Sequence, residues 1–312
     1  MEPAESTTTN TTTSTTSNCS SSSSSTQPQE GEIQPLVVAR TQSVEARQLS
    51  EAEAAMVAAT KMTVSEYHKS RFDTHARMFW DKFYHANKTF FFKDRHWLYR
   101  EFPPLVEQEP VHTLLEIGCG VGNAFFPLLQ ANPTIEVYAC DFAKKAVDLI
   151  TQNELYKANA SRCHAFVCDV INTPISDTVP ANKVDLCTCL FVLSAMVQSK
   201  MPAAVSNIFN ALKPGATLFF RDYGINDEAM LRFAKQRNSK LDENLYVRQD
   251  GTQAFFFTLE HVQELFQSAG FEQLSSVYVF TETINRKEEL QVPRVFVQSL
   301  FRKPDTSAPS SS

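Results

Sequence analysis

Three glycines at alternate positions follow an apolar run in LLEIGCGVGN, residues 114–123. The run through Glu116-Ile117-Gly118-Cys119-Gly120-Val121-Gly122 passes straight into the apolar segment 124–129, which predicts a strand, a tight turn and a helix. Glycine here lets the backbone turn sharply and approach a ligand with no Cβ in the way. Amides of the turn and of the helix start then face that ligand. The dinucleotide fingerprint G-x-G-x-x-G is excluded, because residue 123 is Asn123. Two acids follow at strand ends. Asp141 closes VYACDF, 19 residues after Gly122, where an acid in a doubly wound sheet accepts hydrogen bonds from ribose hydroxyls. Asp169 closes AFVCDV and is placed to accept from an adenine amino group, with Leu190 lining the same base pocket. One acid at a strand end is more often a helix cap. The glycine turn and both acids, in this order and spacing, point to a nucleoside cofactor.

Such residues need a parallel sheet behind them. The pattern predicts strands at 113–117, 136–140, 164–168, 184–191 and 216–221, alternating with helices at 123–130, 144–152 and 202–212. Lys213-Pro214-Gly215 reads as a helix stop. Asp185 opens its strand and belongs at the far end of the sheet. Helix 259–269 stops at Gly270, and two strands, 274–280 and 294–301, follow with the polar segment 281–291 between them. The architecture is α/β, a mostly parallel sheet with helices on both faces and a terminal antiparallel hairpin.

Composition limits the partners. At 312 residues and 43% hydrophobic the chain can build a large core, and 24 Phe is a heavy aromatic load. No apolar stretch is long enough to span a membrane, and the first 30 residues show neither signal nor transit character. Seven cysteines without a C-x-x-C pair leave no tetrahedral zinc set; Cys187 and Cys189 read as small buried hydrophobes in a reducing compartment. The net charge of −6 is unevenly spread: residues 1–60 carry −5, whereas 61–102 hold nine Lys or Arg against five acids, with four His. That basic segment suits a polyanion. It is also dense in aromatics, FWDKFYHANKTFFFKDRHWLYREF, and contains both tryptophans. Residues 1–34 are a Ser/Thr/Asn/Gln tract expected to be disordered, and 43–62 are Ala/Glu-rich with helical character.

Beyond these patterns the chain resembles known proteins. E-x-G-x-G-x-G with the terminal hairpin resembles the class I, Rossmann-like methyltransferases with a seven-stranded sheet, whose cofactor is S-adenosylmethionine. FYHANKTFFFKDRHWLYREFP, EIGCGVGN, YACDF, FVLSAM, LKPGATLFFRDYG, NLYVRQDGTQAFFF and VPRVFVQSLFRKP together resemble the tRNA N3-methylcytidine methyltransferases, from about 80 to 303. The VPRVFVQS ending looks like the branch that modifies serine tRNAs. The resemblance implies methyl transfer to N3 of a cytidine in the anticodon loop, position 32, and makes seryl-tRNA synthetase the partner to test. It implies cofactor contacts at Trp80, Tyr84, Gly118, Gly120, Asp141, Asp169 and Leu190. Trp80 and Tyr84, four apart, share one helix face and would close over the cofactor as a lid, unless both are core aromatics. Phe91 and Phe92 offer stacking surfaces for an unpaired base, and Lys93, Arg95 and His96 offer charge for phosphate. One motif departs from the family: in Asp250-Gly251-Thr252-Gln253-Ala254-Phe255-Phe256-Phe257, Gln253 replaces an arginine and Phe255 a tyrosine. A phosphate contact is expected to weaken there, with Lys235, Arg237 and Lys240 as compensating charges.

The chemistry makes few demands. Cytosine N3 carries an in-plane lone pair, so the base must be extruded and aligned rather than deprotonated. The product is cationic, and Asp222 in FFRDYG is placed at the carboxyl edge to stabilise it, with Arg221 holding phosphate or the base carbonyl. Alternatively these two pair as a buried structural unit. Competing functions are a class I methyltransferase acting on protein or a small molecule, and a non-catalytic subunit that binds tRNA or a synthetase. The expected organisation is a disordered tail over 1–60, a helical aromatic and basic cap over 61–110 serving as tRNA and cofactor lid, a methyltransferase domain over 111–303, and a disordered tail over 304–312. The protein is expected to be a monomer, cytoplasmic with access to the nucleus, without metal or membrane attachment.

Overall fold

The structure, a computed structural model, describes residues 40–285 and 290–305. Strand β1 (Arg40–Ser43) leads into α1 (Glu51–Ala59), started by a capping box in which Ser50 and Glu53 satisfy each other's backbone amides. Helices α2 (Glu66–Thr74), α3 (Ala76–Asn87) and α4 (Leu98–Glu101) form the cap. Next come β2 (Thr113–Ile117), α5 (Phe125–Ala131), β3 (Glu136–Asp141), α6 (Lys144–Gln152), α7 (Glu154–Ala158) and β4 (Cys163–Val167). They are followed by β5 (Val184–Leu190), α8 (Met201–Ala211), β6 (Leu212–Tyr223) and α9 (Glu228–Ala234). Three short strands, β7 (Lys240–Asp242), β8 (Leu245–Val247) and β9 (Gln253–Phe255), precede α10 (Leu259–Ser268), β10 (Glu272–Asn285) and β11 (Leu290–Arg302).

Eight strands form the main sheet in the order β1-β10-β11-β6-β5-β2-β3-β4. The pairs from β6 through β4 are parallel, and β11, β10 and β1 add antiparallel. β2 is buried along its whole length, as a strand covered on both faces must be. Its side chains alternate between two cores: Leu115 and Ile117 face the α8 and α10 side, and Leu114 faces the α5 side. The chain order reverses between β2 and β5, so the carboxyl ends of these strands open a crevice where ligands bind.

Several boundaries differ from the sequence expectation. The expected tail 1–60 is structured from Arg40 onward, because β1 covers the outer edge of β10 and α1 packs Val57 against the core of α9; residues 1–39 and 306–312 lie outside the described residues. An eighth strand is therefore present beside the expected seven. β6 begins at Leu212, directly after α8, because Pro214 fits extended backbone as readily as it stops a helix. Most of the polar segment 281–291 is strand rather than loop: pairing continues from Thr281↔Arg294 to Asn285↔Leu290, carried by backbone groups whatever the side chains. The β7–β9 sheet had no separate signal beyond the motif NLYVRQDGTQAFFF.

Candidate active site

Two cavities meet at the carboxyl edge of the sheet. The first, about 370 Å³, is lined by Gly118, Asp141, Asp169, Phe142, Val192 and Met196 from the sheet side, and by Asp73, Arg77, Trp80 and Tyr84 from the cap. The second, about 910 Å³, lies on the other side of Trp80, Tyr84, Gly118 and Phe191, which line both.

The glycine turn is shaped by contact as much as by φ. Gly118 has φ +60°, and a Cβ there would stand 2.5 Å from Val192 Cγ2. Gly120 has φ +55°, and its Cβ would stand 2.9 Å from the Tyr84 hydroxyl oxygen. The cap thus presses directly on the turn. Asp141, 5% exposed, ties the turn to the next one: Oδ2 accepts from the Gly120 amide at 2.9 Å and Oδ1 from Ala143 at 2.8 Å. Each oxygen keeps a further lone pair for a ligand hydroxyl. Burial raises its pKa to about 6, held back by those two amide bonds. Asp169 accepts from the Ile171 amide at 3.0 Å and from Asn172 Nδ2 at 2.8 Å; it caps a turn rather than a helix and lines the cavity as well. Trp80 and Tyr84 stack obliquely, centroids 5.9 Å apart, and burial pushes the Tyr84 hydroxyl well above its ordinary value. Asp73 Oδ1 accepts from Lys200 Nζ at 2.7 Å and Asp81 from the Lys145 amide at 2.9 Å, fastening the cap over the cavity. Carboxylates, turn amides, apolar side chains and aromatic faces suit S-adenosylmethionine, with acceptors for ribose and amine and rings for its sulfonium. Asp141, Asp169, Gly118, Gly120, Trp80 and Tyr84 would hold it.

Leu190 departs from expectation. It is 3% exposed within the core beneath the site, and the apolar cavity wall comes instead from Phe191, Val192, Ala195 and Met196. As strand β5 ends, Phe191 adopts φ +62°, its amide donating to the Arg221 carbonyl at 2.8 Å. A bulky residue in the left-handed region is strained, and such strain collects at functional sites.

The larger cavity is walled by aromatics: Phe91, Phe92, Trp97, Phe191, Tyr223 and Phe296. Tyr223 lies 5.3 Å from Phe191 by ring centroid, and Phe296 lies 5.5 Å from Phe191. Lys93, Arg232, Arg248 and Arg294 bring positive charge to the same space. Arg95 lines the same cavity but folds inward rather than out toward solvent. It is half-buried, its guanidinium 4.9 Å above Phe191 and donating to the Leu190 carbonyl at 3.3 Å, and burial lowers its pKa while Glu116 opposes that. Glu116, 3% exposed, is raised to about 8 by burial, with Arg95 lowering it. His96 is exposed and packs against Tyr99, outside the cavity wall.

Arg221 and Asp222 neither pair with each other nor reach the cavity surface. Adjacent residues of a strand point to opposite faces. Arg221 is sandwiched between Trp97 and Phe296, 4.4 and 4.7 Å from the ring centroids, and burial lowers its pKa to about 10. Asp222 has 0% exposure; Oδ2 accepts from the Ser194 amide at 3.0 Å and Oδ1 from the Tyr223 amide at 2.9 Å, and burial raises its pKa to about 6. Ser194 and Tyr223 are themselves wall residues, so the carboxylate stands one layer behind the cavity. Gln253 is likewise misplaced by sequence reasoning: it is 2% exposed with no partner for either amide atom, so this position faces the interior and not a phosphate. Tyr223, Arg232, Arg248, Arg294 and Phe296 went unread individually, although FRDYG and VPRVFVQS contain three of them. Among the described residues no cluster of three metal-binding side chains occurs, and no helix is long and apolar enough to cross a membrane.

A methyltransferase domain model matches residues 115–218. The chain is 48% identical over 273 residues to the tRNA N(3)-cytidine methyltransferase METTL6 of Mus musculus, covering 86% of this chain and 95% of the mouse protein. It is 46% identical over 265 residues to the protein of that name from Homo sapiens, covering 84% and 92%. Among solved structures, a SAM-dependent methyltransferase from Anabaena variabilis superposes with a TM-score of 0.54 at 15% identity, covering 73% of this chain and 94% of that one. That likeness concerns the fold.

Proposed function

The chain belongs to the tRNA N(3)-cytidine methyltransferase family, and from that premise we propose that it methylates N3 of cytidine 32 in the anticodon loop of serine tRNAs. The observation that carries the reading is the shared wall: a nucleoside-sized cavity and a wide aromatic, cation-rimmed cavity meet at Trp80, Tyr84, Gly118 and Phe191. S-adenosylmethionine supplies the electrophilic methyl group. The chain's residues do the positioning. Phe91, Phe92, Tyr223 and Phe296 offer stacking faces to an extruded base. Lys93, Arg232 and Arg248 stand where the backbone of a single-stranded loop would pass. No general base is required. Asp222, anionic at neutral pH behind Ser194 and Tyr223, holds both wall residues in place and biases the site toward a cationic product. A small-molecule substrate would not need an arginine-lined mouth of this size.

The enzyme acts as a monomer in the cytoplasm and nucleus, and seryl-tRNA synthetase is the partner through which serine tRNAs are selected. The VPRVFVQS ending supports the serine branch. The deciding experiment incubates the purified protein, with and without seryl-tRNA synthetase, with unmodified serine and threonine tRNAs, followed by nucleoside mass spectrometry and mapping. We expect N3-methylcytidine at position 32 of serine tRNA only. Methylation of threonine tRNA alone would overturn the assignment of branch, and no methylation of any tRNA would overturn the reaction.

A further inference from the structure

Arg40 reaches from the sheet edge into the molecule. It forms an ion pair with Glu101 of α4, whose side chain is 2% exposed. The same carboxylate accepts from Gln298 Nε2 of β11 at 3.4 Å. Gln298 Oε1 in turn accepts from Arg221 Nη1 of β6 at 3.1 Å. Arg221 ends this buried chain between Trp97 and Phe296, two of the aromatic walls of the larger cavity, and its carbonyl accepts from the amide of another, Phe191, in its strained conformation. The segment is fastened a second time nearby. Arg47 Nη1 donates to the Asn226 carbonyl at 3.0 Å, and Asn226 Nδ2 donates back to the Arg47 carbonyl at 2.8 Å. Beside it, fully buried Asp227 accepts from Arg294 Nε at 2.9 Å, and Arg294 lies over Tyr223 and Phe296.

We propose that Arg40 is a positioning residue for the substrate base, and that segment 40–47 completes the larger cavity from behind. Glu101 is the only acid on this polar chain, with Arg40 on one side and Arg221 on the other; exposed Arg100 approaches it at 3.4 Å. While Arg40 satisfies Glu101, Gln298 spaces Arg221 away and leaves its guanidinium between the rings. Without Arg40 the buried carboxylate draws on Arg221 directly, because an unpaired charge in the interior costs more than a rearranged stack. Trp97 and Phe296 then lose the plane that separates them. Of these groups only Phe191 also lines the first cavity, and it is held by the Arg221 carbonyl rather than the guanidinium, so the effect falls on the base and not on the cofactor.

The inference rests on the tRNA-methylating reading, and wild-type turnover on serine tRNA, measured alongside, tests that reading separately. Three full-length variants are compared: Arg40→Met, Arg40→Lys, and Arg40→Met combined with Glu101→Gln. Arg40→Met should lower kcat/KM for tRNA on the order of ten- to a hundredfold, the scale of a small misplacement at a reacting centre. Its S-adenosylmethionine Kd by calorimetry should stay within twofold of wild type, and Arg40→Lys should recover most of the turnover. The double variant removes the charge that would draw on Arg221 and should recover both thermal stability and most of kcat/KM. Wild-type kcat/KM in Arg40→Met, cofactor affinity falling in step with turnover, or a double variant as impaired as Arg40→Met would each overturn the inference.

Discussion

Asp141 carries two loads, and its removal separates them. Asp141→Ala takes away an acceptor for ribose, worth about 1.5–3 kcal/mol for bonds to a charged group, and leaves the amides of Gly120 and Ala143 unpartnered. Cofactor affinity by calorimetry should fall roughly tenfold or more; unchanged binding would place the cofactor elsewhere. Glu116 offers a test of burial. Its folded pKa of about 8 exceeds the unfolded glutamate value of ~4.3, so the folded chain binds more protons between those limits. Stability from this group is therefore complete below ~4.3 and lost as pH rises through 8. Glu116→Gln, which resembles the protonated acid, should match wild type in Tm near pH 4, where both states hold the proton, and exceed it by a margin that grows up to pH 8 and holds at pH 9. A wild-type Tm higher at pH 9 than the variant's would show that pairing with Arg95 outweighs desolvation.

At the scale of elements, α2 and α3 make up the part of the cap over the first cavity, and what holds them down can be ranked. The Asp73–Lys200 pair has side chains 28% and 38% exposed, so screening limits it to about 0.2–1 kcal/mol. Lys200→Ala should raise the cofactor dissociation rate by no more than about fivefold in stopped-flow. The contact of Tyr84 with the glycine turn is harder to relieve. Gly120→Ala adds a Cβ 2.9 Å from the Tyr84 hydroxyl on a backbone at φ +55°, a conformation costing roughly 1–2 kcal/mol for an L-residue before any clash. It should weaken cofactor binding far more than Lys200→Ala, and Tyr84→Phe should partly rescue it. Absence of rescue would mean the strain lies in the turn alone.

For the whole molecule, tRNA binding should weaken steeply with salt, as each phosphate contact releases counterions. Replacing Lys93 and Arg232 together by Ala should reduce the magnitude of the slope of log K against log salt by roughly 1.5–2, while an unchanged slope would move the RNA path off this rim. Deleting 1–34 should leave kinetics unaltered, since that tract has no basic residue to meet phosphate and little apolar content to pack. Much of this was legible in the chain itself. Local turn chemistry and strand periodicity determined the parallel sheet, the glycine turn at Gly118 and Gly120 and the acids Asp141 and Asp169, because each depends on residues near one another in sequence; the pair Trp80 and Tyr84 followed from the family resemblance, with helical spacing placing both on one face. Tertiary structure decided what lay across the sheet. Arg221 and Asp222 are neighbours in sequence, but strand alternation sends one into an aromatic sandwich and the other behind Ser194. Arg95 sits in a basic run but folds inward over Phe191. Arg40 lies beside a polar tract, yet pairing with β10 carries it to Glu101, 61 residues away. Composition describes a segment, whereas burial depends on which distant segment comes to cover it.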